Sequence, residues 1–156
     1  MMLRQYDRLV RWDRWANRLV FTALREARGE PPKALAAFQH VLSTEVTWLR
    51  RIEAAASAAA PRWGIASLAQ CESWSAETEE RLDRLAGSLD DARLAGAFSY
   101  RNSQGIEFTD TVADALLHMF LHSMQYRGEA AAFLNDAGHL VPDMDFIFWR
   151  RLGEPM

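Results

Sequence analysis

His118-Met-Phe-Leu-His122-Ser-Met-Gln-Tyr126-Arg127-Gly128-Glu129 is the stretch on which the reading of this chain turns. At about 100° and 1.5 Å per residue, helical positions four apart lie roughly 40° and 6 Å from one another. His118, His122 and Tyr126 therefore form one ridge of groups able to bind a metal. A second helix need supply only one further ligand, and His40 is the candidate. The run sits in a long segment without proline. Asp110 or Thr111 suits its positive end, and Gly138 closes it after Asn135.

In projection, Leu116, Leu117, Phe120, Met124, Ala131 and Leu134 fall on one side of this helix, with Ala115, Met119, His122, Tyr126 and Phe133 roughly opposite. A helix apolar around most of its circumference is sandwiched, here between the bundle interior and either a ligand cavity or another subunit. A homodimer is the expectation. Arg127 and Glu129 read as a solvated pair.

Working outward, three more long helices precede this one. The first runs from Leu3 to about Ala27 and is stopped by Arg28-Gly29-Glu30-Pro31-Pro32. The second opens at Pro32, carries Leu35, Phe38, Leu42, Leu49 and Ile52 at three- and four-residue intervals, and is expected to reach about residue 58. His40 lies off that stripe, so periodicity alone does not point it inward. A third helix fits Leu68 to Leu85, with Trp74, Thr78, Leu82 and Leu85 inward and Gly87 at its end. Between Phe98 and Phe108 the period changes to alternating around Asn102 to Gly105, the signature of a hairpin. Two strands do not stand alone, so this one should cap or connect the helices. A short helix over Met144 to Leu152 closes the chain. The fold class expected is all-α: an up-down-down-up four-helix bundle with a short hairpin before the fourth helix, forming one domain over residues 1–156.

The 156 residues, 49% hydrophobic, suit one compact core. A formal charge of -3, a single lysine (Lys33) and arginines scattered among acids exclude a polyanion-binding surface, so no nucleic acid is expected. Cys71 is the only cysteine, which precludes an intrachain disulfide and reads as a small apolar residue. No apolar run approaches the ~20 residues of a membrane span, and the opening residues do not read as a basic n-region followed by an apolar h-region. A cytoplasmic protein is expected. The six tryptophans read as core and interface mass.

Four places carry a resemblance. They are Trp15-Ala16-Asn17 in the first helix; His40 followed by Glu45 and Trp48 in the second; His118 through Glu129; and the tail Gly138, Pro142, Asp145-Phe146-Ile147. In their order and spacing the chain resembles the DinB-like family of helix bundles, which includes thiol-dependent transferases and hydrolases. The resemblance spans essentially the whole chain and implies a divalent metal, zinc or nickel. It also implies the ligands: the second-helix histidine and two members of the fourth-helix ridge, here His40, His122 and Tyr126. For the Arg127-Gly128 step it implies a helix-packing role, in which Gly128 lets another backbone approach. This sequence has tyrosine where the family has a third histidine, Leu121 where asparagine is usual, and Glu129 where glutamine is usual.

Three neutral imidazoles leave a divalent ion with an open position that lowers the pKa of a bound water or thiol. A tyrosine binds such an ion only as phenolate, and phenols ionise near pH 10, so metal affinity at neutral pH falls. His118 could serve instead, with the ion displaced about 6 Å along the axis. Two readings follow. One is a metal-dependent enzyme activating a small thiol or water between His40 and His122. The other is a catalytically silent bundle that binds a small apolar ligand, or nothing, without metal. A metal-free acid/base pair of His40 and Tyr126 is a weaker third.

Overall fold

A computed structural model describes residues 2–53 and 66–156. Four long helices form the body: α1 (Met2–Glu26), α2 (Pro32–Ile52), α3 (Leu68–Ala86) and α5 (Val112–Asp136). A five-residue α4 (Asp91–Ala95) and the antiparallel strands β1 (Ala97–Arg101) and β2 (Glu107–Thr111) lie between α3 and α5, and α6 (Phe146–Arg151) follows.

Local chemistry sets the boundaries. Pro31 and Pro32 start α2, the second inside the first turn where its missing N–H costs nothing. Ser67 accepts from the Gln70 amide at 3.1 Å and caps α3. Thr111 accepts the Asp114 N–H at 3.1 Å while its hydroxyl donates to the Asp114 carboxylate at 2.7 Å, which fixes where strand becomes helix. α5 ends where Gly138 takes φ +86° and the His139 amide reaches back to the Leu134 carbonyl at 2.9 Å.

Side-chain pairs give the helix directions. Arg14 and Arg18 meet Asp83 and Glu79 in reverse order, so α1 and α3 are antiparallel. Gln39 bonds Ser67 and Arg50 pairs with Glu77 in the same order, so α2 and α3 run parallel. Trp48 faces His118 and His40 faces Tyr126, making α2 and α5 antiparallel. Tyr6 bonds Ala113 and Asp13 pairs with Arg127, making α1 and α5 parallel. The order is up-down-down-up, as expected.

The buried stripes come at three- and four-residue spacing: Tyr6, Val10, Asp13, Asn17, Val20 and Leu24 on α1; Leu35, Phe38, Leu42, Glu45, Leu49 and Ile52 on α2. The apolar members form two clusters. One gathers Val20, Leu24, Phe38, Leu42, Trp74 and Leu134; the other gathers Tyr6, Val10, Leu49, Leu82, Leu116 and Met119. Between them lie the polar members of the same stripes, which make a layer across the bundle.

The tail straps onto α1. Trp12 donates to the Met144 carbonyl at 2.7 Å, the fully buried Trp149 donates to the Pro155 carbonyl at 2.8 Å, and Glu154 receives Arg8 and Arg11 at 2.9 and 3.1 Å. The hairpin caps the bundle through Tyr100, whose ring meets Trp48 with centroids 5.2 Å apart.

Several expectations need correction. α2 is helical to Ile52, with Glu53 as its cap, and residues 54–58 lie outside the described residues. The last helix is shorter than Met144 to Leu152, and α4 was not anticipated. Leu117 and Met124, expected on one side of the helix with Leu116 and Phe120, do not share their burial: they are 42% and 51% exposed, and Leu121 is 54% exposed. The interior of α5 instead takes Ala115, Leu116, Met119, Phe120 and Ala130. Gly128 has open space above it, so no backbone among the described residues approaches there. Trp12, Trp74 and Trp149 are buried and Trp15 and Trp48 partly so; Trp63 lies outside the described residues.

Candidate functional site

His40 on α2 and His122 and Tyr126 on α5 converge. The ring centroids are 5.0 Å apart for His40 and His122, 4.4 Å for His40 and Tyr126, and 4.7 Å for His122 and Tyr126. His40 is buried, so the residue that periodicity left unplaced faces α5 rather than solvent. His118 stands one turn before His122, 5.7 Å from it and 5.1 Å from the Trp48 ring.

A cavity of about 110 Å³ opens beside these rings. Among the described residues it is lined by His40, His118, His122, Thr44, Thr47, Trp48 and Arg51. The Thr47 hydroxyl donates to the Ser43 carbonyl at 2.7 Å. A larger cavity, about 240 Å³, lies between α1 and α3, but its arginines are already bound to acids, Arg14 to Asp83 and Arg18 to Glu79. The smaller cavity is the one that holds unusual chemistry.

Behind it runs the polar layer. Asn17 donates its amide to both Glu45 carboxylate oxygens at 3.1 Å, and Ser123 donates to the same carboxylate at 2.8 Å. Arg127 donates to Asp13 at 2.8 Å and to the Asn17 side-chain oxygen at 2.7 Å, and its guanidinium lies 5.0 Å from the Trp12 ring centroid. Arg127 is 1% exposed and Asp13 and Glu45 are fully buried, so the solvated-pair reading of Arg127 fails and its side chain lies inside the bundle. Each inward residue adjoins one at the site: Glu45 follows Thr44, Ser123 follows His122, and Arg127 follows Tyr126. The layer thereby sets the rotation of α2 and α5 that turns the rings toward each other.

Burial holds the Glu45 carboxyl well above its ordinary value, and the nearby Asp13 charge adds to the effect. Arg127 and the bonds from Asn17 and Ser123 oppose it. The folded chain thus holds this proton more tightly than the unfolded chain. Its stabilising contribution is full below the ordinary carboxyl value of 4.5 and is lost as pH rises through the folded-state value. Glu45→Gln, neutral at every pH, should remove that dependence. In urea titrations from acid to neutral pH, parent stability minus variant stability should fall as pH rises; a flat difference would refute the assignment. Cys71 is buried and inert, its thiol pushed up to about 12.

The first and fourth helices contribute Asp13 and Ser123, which the motif reading missed. Both occupy apolar-stripe positions, and that misplaced polarity was the available signal. Arg51 was also missed; nothing in its spacing separates it from the other arginines.

The model of the DinB family matches residues 2–154, nearly the whole chain. The chain belongs to the DinB family. His40 and His122, two of the positions that carried the resemblance to the DinB family, lie within ring contact in the structure. No curated protein and no solved structure matches the chain. Among the described residues no helix is long and apolar enough to cross a membrane, and no group of three His, Cys, Asp or Glu side chains is placed to hold a metal.

Proposed function

We propose that this DinB protein is a transferase or hydrolase of small molecules, working on a low-molecular-weight thiol or water at a divalent ion, zinc or nickel, held by His40, His122 and Tyr126. The 5.0 Å between the two imidazoles carries the reading. Two imidazoles on one tetrahedral ion, with nitrogens about 2.1 Å from it, have ring centres roughly 5 Å apart. Tyr126 is less ready. A ligating phenolate would hold its ring centre more than roughly 5 Å from both imidazoles, whereas the Tyr126 ring sits at 4.4 and 4.7 Å. It packs by its ring and has to turn outward before its oxygen could reach an ion.

A bound ion would supply a Lewis acid that favours the thiolate or hydroxide form of the nucleophile. The chain supplies the rest. The backing layer fixes both imidazoles; Trp48 and the Thr44 and Thr47 side chains bound a space too small for a whole drug-sized ligand, since such sites span about 300–1,000 Å³. Only the reactive end of a substrate enters, while the remainder lies over the hairpin side.

The close packing of Tyr126 favours a second reading, a metal-free bundle that binds a small apolar molecule. Metal content separates the two. Chelator-stripped protein dialysed against zinc should take up about one equivalent, rising with pH as ligands lose protons, and His40→Ala and His122→Ala should abolish uptake. Uptake that stays negligible, or that survives both substitutions, leaves the metal-free reading.

A further inference from the structure

We propose that two copies of this chain pair through the outer face of α5, antiparallel about a two-fold axis beside Met124 and Gln125, and that each copy brings its Glu129 to the other's His118. The pairing does not depend on what the cavity takes.

The exposed side of α5 carries Leu117, Leu121, Met124, Gly128 and Ala132 at three- and four-residue spacing, while the positions turned toward α1 and α2 are buried. At 100° per residue these five fall within about 80° of one another around the axis, so they form one ridge. Charge is kept to its margins, with Asp114 and Asp136 at the ends and Glu129 on the flank that also carries His118. A continuous apolar ridge on one helix, rimmed by polar groups, marks a contact surface.

The order of sizes says what covers it. Leucines fill the N-terminal half of the ridge, and glycine and alanine the C-terminal half. A second α5 laid across it antiparallel sets Leu117 against the partner's Ala132 and Leu121 against the partner's Gly128, and the two-fold axis repeats both contacts. Bulky groups then meet small ones everywhere. Parallel pairing would set leucine on leucine at one end and leave a gap at the other. There is room for the leucine, since a Cβ built at Gly128 meets nothing within 4 Å among the described residues.

The same register suits the charges. Across such an axis each flank of α5 meets the same flank of its partner. His118, exposed and lining the cavity, comes within two residues, or about 3 Å along the axis, of the partner's Glu129. An imidazole N–H donates to a carboxylate whether or not the ring is charged. Asp114 falls opposite the partner's Asn135, so no acid faces an acid. One helix face is a smaller contact than the roughly 800 Å² per partner of a standard interface, which makes a dissociation constant on the order of 10 µM the expectation.

Sedimentation equilibrium of the full chain should therefore show monomer giving way to dimer in that range. Gly128→Leu strengthens the helix itself but overfills both symmetric contacts, and should weaken the dimer by on the order of 100-fold. Register is read by disulfide formation under oxidised glutathione, Cys71 being buried. Leu121→Cys and Gly128→Cys proteins should cross-link when mixed and neither with itself, because only the mixed pair comes within the roughly 4.4–6.8 Å between Cα atoms that a disulfide spans. The His118 ring signals should move on dimerisation in the parent, and less in Glu129→Ala. A parent that stays monomeric at ten times the expected constant, a dimer indifferent to Gly128→Leu, self-linking of Leu121→Cys, or His118 signals unmoved by dimerisation overturns the proposal.

Discussion

Arg127→Met is expected to destabilise the protein by about 3–5 kcal/mol, the range for stripping one partner from a buried ion pair. For a chain of this length that corresponds to a fall in Tm on the order of 10 °C. The cause is not the loss of attraction but what remains. Asp13 is fully buried and receives from Arg127 at 2.8 Å, and one of its carboxylate oxygens already lacks a hydrogen-bond partner among the described residues. Without the guanidinium, an anion stays in the core, the Asn17 side-chain oxygen loses its 2.7 Å donor, and Trp12 loses its cation. Asp13→Asn in the same chain should recover much of the loss, because the stranded charge is then gone. The double-mutant cycle measures the coupling. If Arg127→Met alone costs less than about 1 kcal/mol, the value typical of exposed pairs, the layer does not hold α1 to α5.

Much of this layer was legible before any coordinates, though not its wiring. Asp13 and Asn17 fall between Val10 and Val20 in one stripe, and Glu45 falls between Leu42 and Leu49 in another, so polarity at buried phase was visible. Which atom meets which depends on how far one helix slides along another, and a single helix does not encode that. The hairpin came through because its turn residues, Asn102 to Gly105, mark it locally.

α5 was harder. Its apolar residues surround the axis, so phase is poorly determined: projection groups Leu117 and Met124 with Leu116 and Phe120, and leaves Arg127 open between solvent and packing. The true phase follows from Ser123 and Arg127 having partners on α2 and α1, which are long-range contacts. α4 escaped because five residues give no period; only Asp90, whose carboxylate accepts the Arg93 amide at 2.6 Å, marks its start. The convergence of His40 with His122 followed from the motif resemblance, since the position of His40 off its own stripe said nothing about where it pointed.

Tyr126→His is expected to tighten zinc binding by on the order of 100-fold. Structural zinc sites with four ligands bind with about 10–16 kcal/mol, or roughly 3 kcal/mol per ligand, and each 1.4 kcal/mol is about tenfold. An imidazole at 126 carries a lone pair at neutral pH, whereas a phenol has to surrender its proton first. The smaller ring also relieves the contacts at 4.4 and 4.7 Å that now keep the Tyr126 ring, rather than its oxygen, against His40 and His122. Those two imidazoles are already 5.0 Å apart, so the substitution completes a set whose other members need not move. Tyr126→Phe supplies the control. It keeps the ring packing and deletes the oxygen, so a parent that uses the phenolate should bind zinc more weakly after this change, most clearly at alkaline pH. If Tyr126→Phe matches the parent at every pH while Tyr126→His gains affinity, the phenol is packing alone and the natural site is a two-imidazole one. If Tyr126→His gains nothing, the rings converge without sharing an ion, and the cavity belongs to the metal-free reading.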